Sequence, residues 1–60
     1  MVGKFEVWAM GKGKRWSVIF YTNNFDDAQR RCENMLRNHP GIVACEVRRL
    51  GCVVYTGGES

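Results

Sequence analysis

The stretch Arg15–Thr22, RWSVIFYT, decides how this chain folds. It is rich in β-branched and aromatic residues and is bounded by glycine and lysine before it and two asparagines after it, which reads as a β-strand. Side chains alternate along a strand. Trp16, Val18 and Phe20 are therefore expected on one face, and Ile19 and Tyr21 on the other. Both sets are apolar, whereas the rest of the chain offers one helix, and one helix covers one face of a sheet.

Working outward, Lys4 to Met10, KFEVWAM, also alternates. Phe5, Val7 and Ala9 share one face, and Glu6, Trp8 and Met10 the other. Gly11 to Arg15, GKGKR, is a turn in which the glycines are expected to supply positive φ. The first two strands thus form a hairpin. Thr22, Asn23 and Asn24 end the second strand and offer three N-cap candidates, with Asp26 and Asp27 suited to the positive end of the helix dipole. Phe25, Ala28, Cys32, Met35 and Leu36 recur at spacings of three and four, an apolar helical stripe over Phe25 to Asn38. Asp27 and Arg31 stand four apart, acid first, as a favourable pair. Pro40 and Gly41 stop the helix.

Ile42 to Arg48 reads as a third strand with Val43, Cys45 and Val47 on one face and Ala44, Glu46 and Arg48 on the other. Cys52 to Thr56, CVVYT, is either a fourth strand after a tight turn or a continuation of the third across a bulge at Gly51; the hairpin is preferred. Gly57 to Ser60 reads as a flexible tail after a single domain spanning residues 1–56.

The expected fold is a small α+β domain of order ββαβ(β). Its antiparallel sheet has strand order 2-1-3, or 2-1-3-4 with the fourth strand counted, and the helix packs on one face. That face is lined by Phe5, Val7, Trp16, Val18, Phe20, Val43, Cys45 and Val47. The far face carries Glu6, Trp8, Met10, Ser17, Ile19, Tyr21, Ala44, Glu46 and Arg48. Such a face normally turns polar when it meets water. Here Trp8, Met10, Ile19 and Tyr21 form an apolar patch, the kind of surface that marks an interaction site. Either the C-terminal segment folds back over it or a partner covers it. In the 2-1-3 order the second strand is also an edge, and it carries neither Pro nor charge between Trp16 and Thr22, so strand addition is a further mode of contact.

The chain has 60 residues, too few for a thick core, and small scaffolds of this size commonly gain stability by association. Its 45% hydrophobic content and seven aromatic residues exclude a disordered chain. Net charge is +3, below the dense basic signature of a dedicated nucleic-acid binder. Lys4 and Glu6 break any signal-peptide core, and no apolar run approaches a membrane span. Three cysteines, Cys32, Cys45 and Cys52, are an odd count for a disulfide framework, so a cytoplasmic protein with reduced thiols is expected.

Site chemistry is sparse. The cysteines and His39 lack zinc spacing, and Cys32 and Cys45 fall on core positions. No acid orients a Cys–His pair. Glu6 and Glu46 sit on a flat sheet with Arg48 as the nearer ion-pair partner. GKGK lacks the phosphate-loop pattern. No metal, no cofactor and no catalytic residue is expected. The expected protein interface is Trp8, Met10, Ile19 and Tyr21, with Arg15 and Arg48 at its rim, serving a homodimer or a subunit of a larger assembly. The rival is nucleic acid stacked on Trp8 and Tyr21, with phosphates held by Lys12, Lys14, Arg15, Arg48 and Arg49. The layout resembles that of many small bacterial and phage accessory proteins, and no motif assigns a family.

Overall fold

The computed structural model describes residues 4–58. Strand β1 (Phe5–Gly11) pairs with β2 (Trp16–Thr22); helix α1 (Phe25–Asn38) crosses to β3 (Ile42–Arg49), which turns into β4 (Cys52–Gly58). The sheet order is β2-β1-β3-β4, with every pair antiparallel and the helix on one face. The fourth strand therefore extends the sheet beside β3 and does not fold back over the far face. Gly57 and Gly58, expected to begin a flexible tail, instead end β4, paired with Cys45 and Ala44; residues 59–60 of that expected tail, like residues 1–3, lie outside the described part.

The three N-cap candidates divide the work. Asn24 is the cap, its Oδ1 accepting the Asp27 backbone N–H at 3.3 Å. Thr22 Oγ1 accepts the Asn24 N–H, and Asn23 Oδ1 accepts the Lys4 N–H, which ties the start of β1 to the loop before the helix. His39 closes the other end by donating its N–H to the Met35 carbonyl at 3.0 Å. Asp27 and Arg31 do not form an ion pair; the Arg31 guanidinium lies instead over the Phe20 ring, 4.0 Å from its centroid.

The core is thin. Among the described residues, Val7, Ala9, Ala28, Cys32, Cys45 and Val47 are buried, all of them small. The larger side chains, Phe5, Phe20, Phe25, Met35, Leu36, Ile42 and Tyr55, ring this centre half-covered. Phe25 packs edge-on against both Phe5 and Tyr55. A fully buried valine contributes about 1.5–3 kcal/mol, so six small residues make a modest driving force.

Two local expectations change. At the β1–β2 tip the left-handed residue is Lys14, φ 62°, rather than Gly11 or Gly13, and its N–H donates to the Gly11 carbonyl at 3.0 Å. A tight turn followed by one left-handed residue is a common hairpin closure, and it puts the positive φ after the turn. The second change concerns register. Val7 lies opposite Phe20, but Trp8 lies opposite Val18, leaving Ile19 as an extra residue in β2. This β-bulge shifts the alternation by one. Trp16 and Val18, expected under the helix, therefore share the open face with Met10 and Trp8. Ser17, expected on the open face, lies opposite core-facing Ala9. Bulges recur at Val43 in β3 and at Val54 in β4.

Candidate functional site

The uncovered face is built from three cross-strand rows, read from β2 through β1 and β3 to β4. The first is Tyr21, Glu6, Arg48 and Val53; the second Val18, Trp8, Glu46 and Thr56; the third Trp16, Met10, Ala44 and Gly58. The bulk is lopsided. Two indoles, a phenol, a methionine and a valine stand over β2 and β1. Over β3 and β4, Ala44, Thr56 and Gly58 leave a low floor. Trp8, Met10, Trp16 and Val18 are half-buried, and Tyr21 is 43% exposed.

The polar groups on this face are tied together. The Trp8 indole N–H donates to Glu6 Oε1 at 2.9 Å. Arg48 donates through Nε to Glu46 Oε1 at 3.0 Å and forms an ion pair with it at 2.9 Å. The same guanidinium covers the Trp8 ring at 4.4 Å and reaches to 5.5 Å from the Trp16 centroid. Cation–π contacts of this kind contribute about 0.5–1 kcal/mol at exposed sites. Among the described residues Glu6 has no cation at ion-pair distance. Glu6 and Glu46 against Arg48 leave the strand positions of this face one negative charge, on a chain whose formal charge is +3.

Of the expected interface residues, Trp8, Met10, Tyr21 and Arg48 come together here. Ile19 sits at the bulge of the edge strand, 40% exposed. Arg15 is exposed in the β1–β2 loop, at the third-row end, whereas Arg48 springs from the first row. The residues expected to hold phosphates are split. Lys12 and Lys14 occupy the loop with Arg15. Arg49 turns to the helix side, 5.9 Å from the Phe5 ring. Trp16 and Val18 were missed from the sequence because no polar residue marks the slip at Ile19.

Elsewhere the chemistry is quiet. Cys32 and Cys45 are both buried, and desolvation pushes both thiols up, away from the reactive thiolate. Cys52 is free and exposed. Among the described residues no group of three His, Cys, Asp or Glu could hold a metal ion, and no helix is long and apolar enough to cross a membrane. A shallow depression of about 270 Å³ is lined by Leu36, Pro40, Ile42, Val43 and Gly58, without an ionisable group. Compared with known proteins, the chain matches no family model, no curated protein and no solved structure.

Proposed function

We propose that the chain is a non-enzymatic protein-binding module, an accessory or inhibitor protein that docks through the open face of its sheet. The observation that supports this is the ridge of Trp8, Met10, Trp16, Val18 and Tyr21 on a face that no element of the described chain covers. Trp, Tyr and Met are enriched at the centres of protein interfaces. The lack of an ionisable group in the depression beside Leu36 argues against acid–base chemistry there. Three unpaired thiols favour a reducing compartment such as the cytoplasm.

The open edge of β2 takes second place to the face. The bulge at Ile19 interrupts its ladder, and bulges are among the devices that discourage strand addition. Nucleic acid is the weaker rival, for reasons of charge. The face carries a net negative charge, its candidate cations point three ways, and the Trp8 ring already has Arg48 upon it. Polyanion binding needs a continuous basic track beside the stacking rings.

A photo-crosslinking residue at Val18, compared with one at Asn34 on the exposed helix surface, tests this reading. Protease-sensitive adducts from position 18, with none from position 34, are the expected result. Nuclease-sensitive adducts at position 18, or no adduct there, would overturn it.

A further inference from the structure

Building on that reading, we propose that the occupant of the open face is a second copy of this chain, stacked face to face about a two-fold axis that runs parallel to the strands between β1 and β3. The face is complementary to itself under that operation and not under the perpendicular one. Rotation about an axis along the strands lays β1 of one copy over β3 of the other, and β2 over β4, while each cross-strand row stays over its own counterpart.

The consequences follow row by row. In the third row, Trp16 and Met10 stand over Gly58 and Ala44 of the second copy, so the tall half of each face fills the low half of the other. In the first row, Glu6 lies over Arg48 of the second copy. The half-buried carboxylate without a cation thereby gains one, and Arg48, already bonded to Glu46, bridges two acids. In the same row Tyr21 meets Val53, which is 48% exposed. An axis perpendicular to the strands would instead set β1 over β1 and the first row over the third. Ridge would meet ridge, the low floors would face an unfilled gap, and Glu6 would be buried against Met10 without compensation, which is costly for a carboxylate.

Size is consistent with a weak dimer in this arrangement. Seven-residue strands about 3.3 Å per residue and four strands about 4.8 Å apart give a face of about 19 by 23 Å. Two such faces come to roughly 870 Å², below the roughly 1,200–2,000 Å² that stable complexes bury and in the size range of weak, reversible ones. The whole face must therefore be matched, and affinity should be micromolar rather than nanomolar. Stacked sheets keep their strands within about 30° of each other and about 10 Å apart, as a near-parallel axis requires.

The test is a mixing experiment read by sedimentation equilibrium. Wild type should be dimeric in the micromolar range. Glu6→Arg sets two arginines against each other across the axis, and Arg48→Glu sets two glutamates against each other; each alone should weaken the dimer at least tenfold. An equimolar mixture of the two should recover it. The arginine introduced at position 6 of one chain then meets the glutamate introduced at position 48 of the other, while the native Glu6 and Arg48 pair at the second contact. Dimeric wild type with a mixture that stays monomeric would overturn the proposed axis. Monomeric wild type at the highest concentration would overturn the second copy as occupant; adducts from position 18 to a different protein would then show that the face reading had survived. Should Arg48→Glu not fold, Tyr21→Cys and Val53→Cys chains carrying Cys52→Ser, on the outer strands where like positions stand far apart across the axis, supply a charge-free version. A short bismaleimide should join them only when the two are mixed, and failure to do so overturns the axis.

Discussion

Leu50 and Gly51 make the whole of the β3–β4 connection, and both have positive φ, 51° and 82°. Two left-handed residues suit the twist of a two-residue hairpin, where Asn-Gly is the favoured pair. Glycine takes this conformation freely, but leucine holds its Cβ against the next carbonyl at a cost of about 1–2 kcal/mol. Leu50 is 90% exposed, so no burial offsets that cost. Leu50→Asn should therefore stabilise the fold by about 0.5–1 kcal/mol, since asparagine tolerates the left-handed region. In a domain of this size that is a rise of several degrees in Tm, measurable by thermal denaturation. A lower Tm for Leu50→Asn would mean that the tip is not strained.

Among the elements, α1 was the most legible, because its apolar stripe, caps and stop signals agree with one another. The strand limits and the hairpin preference for β4 were legible as well. The faces of β1 and β3 could be read because Glu6, Glu46 and Arg48 mark the side that meets water. In β2 nothing marks it. Trp16, Val18, Ile19, Phe20 and Tyr21 are apolar on both faces, and Ser17 lies at an exposed corner beyond the helix, so a one-residue slip leaves no trace in the alternation. Half the ridge of the candidate site was hidden for that reason. The bulge residue also shields an otherwise uncharged edge. Deleting Ile19 should keep Trp16 and Val18 opposite Met10 and Trp8, and so keep the fold, while straightening β2 into a continuous edge. The variant should show native-like circular dichroism and faster aggregation by turbidity than wild type. Unchanged aggregation would mean that the bulge does not guard the edge.

For the whole molecule, the thin core sets both stability and its dependence on pH. Cys32 and Cys45 are held protonated chiefly by burial; Tyr55 is held so by burial and by the hydrogen bond it donates to Glu33 Oε2 at 3.1 Å. Groups whose pKa is raised by folding favour the folded state below their unfolded values and lose that contribution as pH climbs past them. With an ordinary thiol value of 9.0, stability should be level through neutrality and fall from about pH 9 upward. Urea midpoints at pH 7 and pH 10 measure the fall, and Cys32→Ala should show a smaller difference between them. Equal wild-type midpoints would contradict the thiol account.

The shift at Ile19 has a spectroscopic consequence. The chain has two tryptophans, and both stand on the open face, with the Arg48 guanidinium near each ring. Its indole emission therefore reports on that surface and is nearly blind to the valine and cysteine centre under the helix. Emission should change when the face is covered or bared even if no backbone hydrogen bond breaks. On dilution it should move before circular dichroism does, so the protein carries its own reporter of docking.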